Sequence, residues 1–187
     1  MRLFLAIFPP PETQALAFDV IGALKRPADS VSWVKRENLH FTLRFIGEVG
    51  EDGAERVRAA AREAATQAPA FDARLGRCGG FPGLKRARVL WLGLEDGAAP
   101  MTVVAGALER ALAKRGFDPE RNKFSPHLTI GRVRDPRHDW TTPLSAVGSL
   151  AEAQAARFPV HSLQVMQSQL HPAGSIYSVL EDVPLAR

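Results

Sequence analysis

Two stretches of this chain alternate between apolar and polar side chains. In 40–46 (HFTLRFI), Phe41, Leu43 and Phe45 alternate with His40, Thr42 and Arg44. In 126–133 (PHLTIGRV), Leu128 and Ile130 alternate with His127 and Thr129. A period of two marks a half-buried β-strand, because successive side chains point to opposite faces. The pattern predicts two strands, each with a core face and a polar face.

Other elements follow from the same reading. Residues 3–8 are an apolar run cut off by Pro9-Pro10-Pro11, which fits a buried first strand. Leu16, Val20, Ala23 and Leu24 predict one face of a helix over 12–24, ended by Pro27. A short extended piece at 31–34 leads into a polar turn at 35–38. Residues 51–67, rich in Ala, Glu and Arg, predict a second helix stopped by Pro69. A third helix is expected over 99–114, ending at Gly116. Strands over 70–77 and 87–94 flank the turn GGFPGLKR, which carries two basic residues. The polar stretch 134–143 reads as a loop and 145–156 as a short helix. Residues 159–167 and 175–182 read as closing strands.

This is an α+β order in one domain, 1–187. The two histidines stand 87 residues apart, near half the length, and strand–helix–strand precedes each motif's end. A duplicated unit explains that spacing, with pseudo-symmetric halves each carrying one His-x-Thr-x motif. Two such strands side by side would hold both histidines across a cleft.

Composition narrows the classes. Hydrophobic residues make up 45%, enough for a core, and charged residues 24%, which argues against disorder. The net charge of +4 favours a polyanionic partner such as RNA or nucleotides. An arginine-rich composition explains it equally well, so charge alone leaves both open. Cys78 is the single cysteine, which excludes a disulfide framework and a cysteine zinc site. With Gly79 and Gly80 after it, Cys78 reads as a structural thiol. No window approaches the roughly 18 apolar residues of a membrane span, and the opening run is too short for a secretory core. The expectation is a cytoplasmic protein with no membrane partner.

The chemistry rests on parity. Residues i and i+2 of a strand share a face, so His40 and Thr42 project together, with Arg44 next along. His127 and Thr129 do the same. Paired imidazoles suit phosphodiester hydrolysis: one takes a proton from water while the other gives one to the leaving oxygen. Threonine hydroxyls can donate to the phosphoryl oxygens, and an arginine can add charge-assisted contacts. No metal or other cofactor is required by that scheme.

Bland alternatives stand beside it. Chance recurrence of a four-residue pattern is one. Two histidines could bind zinc, but no third ligand stands near either. No Gly-x-Ser-x-Gly and no phosphate-cradling GxxxxGK[ST] occurs. His138, His161 and His171 read as surface or structural. Trp33, Phe81 and Tyr177 read as core aromatics that could also stack on a base. A non-catalytic RNA-binding module remains the rival function.

The residues also carry a family resemblance. Segments 37–48 (ENLHFTLRFIGE) and 124–132 (FSPHLTIGR) resemble the two motifs of the bacterial and archaeal RNA 2′,3′-cyclic phosphodiesterases. These belong to the two-histidine (2H) phosphoesterase superfamily and were first described as 2′-5′ RNA ligases. Segments 2–7 (RLFLAI), 88–93 (RVLWLG) and 174–177 (GSIY) are also similar, so the resemblance spans nearly the whole chain in order. It implies two antiparallel sheets lining a cleft, with helices outside. It implies hydrolysis of a 2′,3′-cyclic phosphate end of RNA or a nucleotide to a 2′-phosphomonoester, with minor reverse ligation. No obligate protein partner is implied.

Carried over, His40 is the proton donor, His127 the proton acceptor, and Thr42 and Thr129 bind phosphoryl oxygens. Arg132 matches a basic position after the second motif. Strict alternation sets Arg132 opposite His127, and it reaches the cleft only if Gly131 allows a bulge. Arg44 has the right parity and is the expected substrate binder. Phe41 stands where the family often has leucine. Segment 167–170 (QSQL) has glutamine where an acidic residue is expected, and it is given no role.

Overall fold

The computed structural model describes residues 1–26, 30–150, 153–171 and 174–187. Pro27, expected to end the first helix, lies outside them. So do residues 151–152 of the expected 145–156 helix and 172–173 of the turn after Leu170.

In chain order the main elements begin with β1 (Arg2–Ile7), α1 (Pro11–Leu24), β2 (Val31–Trp33), β3 (Phe41–Glu48) and α2 (Glu51–Ala65). Then come β4 (Phe71–Phe81), β5 (Val89–Asp96), α3 (Ala98–Ala113) and β6 (Leu128–Val133). The chain closes with α4 (Thr141–Val147), β7 (Arg157–Val160), β8 (Ser162–Gln169) and β9 (Ile176–Pro184). The α+β class is as expected.

The strands form one path, β7-β4-β5-β6-β3-β1-β8-β9, with β2 added on β6. All of these named strand pairs are antiparallel. The middle is thin: β3 and β6 pair through Phe41 and Leu128 alone. The two sheets expected are therefore continuous, joined at the residues that follow the two histidines. Each half of the sheet carries one motif strand. The halves draw on both ends of the chain, since β1 and β3 are extended by β8 and β9.

Helices pack on the face away from the cleft. Helix α2 lies on β8, β9 and α3, while α1 crosses to cover β6. The buried side of α2 is Ala54, Val57, Ala60, Ala61, Ala64 and Ala65. Small side chains let the helix approach closely while keeping high helix propensity. On β1 the two faces separate cleanly. Leu3, Leu5 and Ile7 join the main core. Phe4 and Ala6 face the cleft in a second cluster with Met166, Phe8 and Tyr177.

Three expectations change. The helix placed at 145–156 is instead α4, which ends at Gly148 in a left-handed conformation (φ +73°) that suits glycine. The single strand at 159–167 is two strands. Phe158 and Val160 are buried, then Leu163 and Val165, so the phase slips one residue at His161-Ser162. There the chain leaves β4 and crosses to β1. The inner face of α1 is Thr13, Ala17, Val20, Ile21 and Leu24, rotated from the expected set; Ala23 is exposed.

Candidate active site

Both histidines are anchored in the same way. His40 sits just before β3, and its Nδ1 lies 2.7 Å from the Asn38 carbonyl. His127 sits just before β6, and its Nδ1 lies 2.7 Å from the Ser125 carbonyl. A carbonyl only accepts, so Nδ1 carries hydrogen at both sites. The nitrogen that gains or loses a proton is therefore Nε2 in each case. Among the described residues neither Nε2 has a protein partner.

The join between the half-sheets sets the rest. Antiparallel residues that oppose one another share a face. Continuing the Phe41–Leu128 register one residue each way sets His40 opposite Thr129 and His127 opposite Thr42. The four side chains form a ring around a local twofold. Neither threonine hydroxyl has a protein hydrogen-bond partner among the described residues.

Aromatic rings frame the histidines unequally. Around His40 the ring centroids of Phe4, Phe8 and Tyr177 lie at 5.0, 5.1 and 5.5 Å. His127 meets Phe81 edge-on at 5.1 Å and Trp91 at 6.5 Å. Trp91 lies flat over Gly79, where a Cβ would come within 2.3 Å of the ring. Burial pushes the His40 imidazole down to about 4, and the charges of Arg132 and His127 add to that. The hydrogen bond to Asn38 opposes it. His127 is also lowered, by burial first and then by Arg132, against the bond to Ser125. The two histidines and Arg132 thus share one electrostatic site.

Arg132 reaches that site through a bulge. Leu90 pairs with Gly131, but Trp91 pairs with Thr129, so Ile130 is an extra residue on β6. An extra residue flips every later side chain to the other face. Gly131 serves a second purpose: a Cβ there would lie 2.9 Å from the Trp33 ring, which packs under β6 against Trp140.

The same event overturns the expectation for Arg44. Leu5 pairs with Arg44 and Ala6 with Thr42, so Leu43 is an extra residue on β3. Arg44 is turned away from Thr42 to the helix side. Its Nη1 donates to Glu120 at 2.7 Å and its Nη2 to the Asp118 carbonyl. Its Nε lies 3.1 Å from Glu109 of α3 as an ion pair, outside hydrogen-bond alignment. With the side chain only 11% exposed, this guanidinium is occupied. The cleft position falls to Phe45, which is 56% exposed and lies 5.9 Å from Phe4.

Beside His40 a cavity of about 370 Å³ is lined by Arg2, Leu3, Phe4, Phe45, Arg132, Ser168, Leu170, Ser175 and Tyr177. Phe4, Phe8, Phe45 and Trp91 had no sequence signal beyond aromatic identity. Of the three aromatics weighed from sequence, Phe81 and Tyr177 reach the histidines and Trp33 does not. His138 packs against Trp140 at 4.7 Å, and His161 is exposed between β7 and β8. Among the described residues no three His, Cys, Asp or Glu side chains cluster as a metal site. Nor is any helix among them long and apolar enough to cross a membrane.

Comparison with known proteins bears on the fold and the family. The family model described as the 2′-5′ RNA ligase superfamily matches residues 9–172. A protein of Methanothermobacter thermautotrophicus named RNA 2′,3′-cyclic phosphodiesterase is 34% identical, over 97% of each chain. One of the same name from Aeropyrum pernix is 33% identical, over 89% of this chain and 97% of its own. A crystal structure from Thermus thermophilus superposes with a TM-score of 0.83 at 27% identity, covering 99% of this chain and 98% of that one. A bulged strand after each His-x-Thr, an anchored imidazole on each, and these likenesses along its length lead to one conclusion: the chain belongs to the 2′-5′ RNA ligase superfamily.

Proposed function

We propose that this protein hydrolyses the 2′,3′-cyclic phosphate end of RNA or of a nucleotide to a 2′-phosphomonoester, without a metal. The observation that carries the reading is the pair of tethered imidazoles facing one site, each with its Nε2 unpartnered. The names of the curated relatives support the substrate class. His127 accepts a proton from the attacking water as the new P–O bond forms. The P–O3′ bond breaks, and His40 gives a proton to the leaving 3′-oxygen. Thr42 and Thr129 donate to the non-bridging oxygens, where Arg132 adds a cation.

Burial and Arg132 leave both imidazoles neutral in the free protein at neutral pH. The scheme needs one proton on the pair. A phosphodiester anion supplies the missing charge complement, because a nearby negative charge raises an imidazole's pKa. Substrate binding then lets the pair take up from solvent the proton that His40 uses. Among the described residues no third metal ligand joins the two histidines, which supports a metal-free route. Reverse 2′-5′ ligation uses the same groups and stays minor in water, since nothing in the scheme activates the ends. The single cysteine fits a reducing, cytoplasmic setting, which belongs to the same proposal.

The test is product analysis with a 2′,3′-cyclic nucleotide in EDTA. A 2′-phosphate is expected. A 3′-phosphate reverses the bond that is cut, activity restored only by zinc ends the metal-free scheme, and binding with no turnover leaves a nucleotide-binding module.

A further inference from the structure

A basic groove opens beside the His127 half of the cleft. Its volume is about 550 Å³, and Pro82, Lys85, Arg86, Arg88, Pro136 and Arg137 line it. Two loops make its walls: the β4–β5 turn and the segment from β6 to α4. The Trp140 amide donates to the Leu84 carbonyl at 3.0 Å and ties them together.

Both walls grow directly out of the active site. Pro82 follows Phe81, whose ring lies 5.1 Å from His127. The other wall follows Arg132 by way of Val133. Arg88 is stitched between them: its amide donates to the Phe81 carbonyl at 2.7 Å, and its carbonyl accepts from Val133 at 2.9 Å. The groove is therefore built from the segments that run on from Phe81 and Arg132.

Its charge is mostly uncompensated. Arg137 is neutralised by Asp135, with contacts of 2.8 and 2.6 Å. Lys85, Arg86 and Arg88 are exposed, and among the described residues none has a carboxylate within ion-pair distance. Asp139 feels Lys85 only at longer range. Three such cations on a concave wall concentrate an anion better than the same charges on a flat face. A cyclic phosphate caps the 3′ end of a strand. The rest of the strand leaves from the 5′ side of the terminal nucleoside, with one phosphate per residue.

We propose that this groove binds the phosphates of single-stranded RNA upstream of the cyclised end, so that the protein favours oligonucleotides over cyclic mononucleotides. This rests on the hydrolase reading above and adds a substrate class to it. A mononucleotide lacks the phosphates that would reach the groove.

The test compares wild type with Lys85→Gln/Arg86→Gln/Arg88→Gln on two substrates, a cyclic mononucleotide and a pentaribonucleotide ending in a 2′,3′-cyclic phosphate. Hydrolysis of the mononucleotide should stay within about twofold, because the three residues lie outside the cleft. Oligonucleotide kcat/KM should fall by about tenfold or more, and its salt dependence should flatten by roughly 2 in the log–log slope, at about 0.7 per lost phosphate contact. Equal losses on both substrates, or an unchanged oligonucleotide rate, overturn the groove. Binding of the 2′-phosphorylated pentanucleotide, followed by anisotropy, needs no turnover. Wild type that binds it with a groove-dependent slope but hydrolyses nothing keeps the groove and ends the hydrolase reading. Wild type that hydrolyses the mononucleotide while the variant binds RNA unchanged does the reverse.

Discussion

Strands β3 and β6 meet at Phe41 and Leu128, with a histidine one residue before each and a threonine one residue after. Both histidines are tethered through Nδ1 to the carbonyl two residues back. Both strands bulge at the residue after the threonine, Leu43 in one and Ile130 in the other. The likeness ends three residues past each threonine, where β3 presents Phe45 and β6 presents Arg132. One half is an aromatic cage around His40, with Arg132 of β6 lining the cavity beside it; the other is a sparser frame beside a basic groove. A twofold frame supplies two equivalent proton carriers. A reaction with a distinct nucleophile and leaving group needs the equivalence broken, and the side chain after the bulge breaks it.

The largest expected effect tests the equivalence. His40→Ala and His127→Ala should each cost about 10³-fold or more in kcat, the upper range for a general acid or base. Their effects on folding should differ: His40→Ala removes a ring packed against three aromatics, His127→Ala one packed against two. Thermal unfolding should therefore drop further for His40→Ala. Kinetic losses that differ by more than tenfold would mean the two imidazoles are not a pair of comparable proton carriers.

Arg132→Gln comes next, at about 10²-fold in kcat/KM, as for removal of one donor to a developing phosphoryl charge. Its pH profile is the sharper readout. One proton must sit on the pair, so activity falls below the lower pKa, where both are protonated, and above the higher, where both are neutral. Both imidazoles are lowered, so the kcat/KM optimum should lie on the acid side of the usual imidazole value. Arg132 is among the causes of both shifts. Removing its charge should move both limbs to higher pH. Movement of a single limb would show that Arg132 serves one half alone.

Sequence alternation located both strands and both His-x-Thr pairs, because parity needs only local one-to-one pairing. It misplaced Arg44 for the same reason, and it brought Arg132 to the cleft only through the bulge allowed for at Gly131. A bulge breaks one-to-one pairing, and the residues that do so, Leu43 and Ile130, are ordinary apolar core residues with no mark in composition. Gly131 looked like the marker of a bulge, yet it also answers to Val31 and the Trp33 ring, which a Cβ there would crowd. The run 3–8 is apolar throughout, so nothing in it told that Phe4 and Phe8 line a cleft while Leu3, Leu5 and Ile7 fill the core. The slip at His161-Ser162 leaves a local mark, two polar residues in a row, but 159–167 still reads as one strand from its apolar content. The single-pair join of the half-sheets was not, because long-range pairing leaves no local pattern.

The smallest expected effect contrasts the two arginines. Arg44 and Arg132 each follow a His-x-Thr, at two and three residues beyond the threonine, and past equal bulges that one-residue difference sets them on opposite faces. Arg44 faces Glu109 and Glu120 across to the α3 side, with its guanidinium occupied. Arg44→Met keeps the apolar stem and removes the ion pairs. Glu120 is 40% exposed, so solvent screening keeps the loss small, about 1 kcal/mol. That corresponds to a Tm lower by roughly 2–4 °C in a chain of this size. Turnover of a cyclic mononucleotide should stay within about twofold of wild type. The same substitution at Arg132 should reverse the balance, with Tm nearly unchanged and turnover reduced about a hundredfold. If Arg44→Met instead loses activity at full stability, the side chain reaches substrate, and the bulge at Leu43 does not set the face of β3 as described.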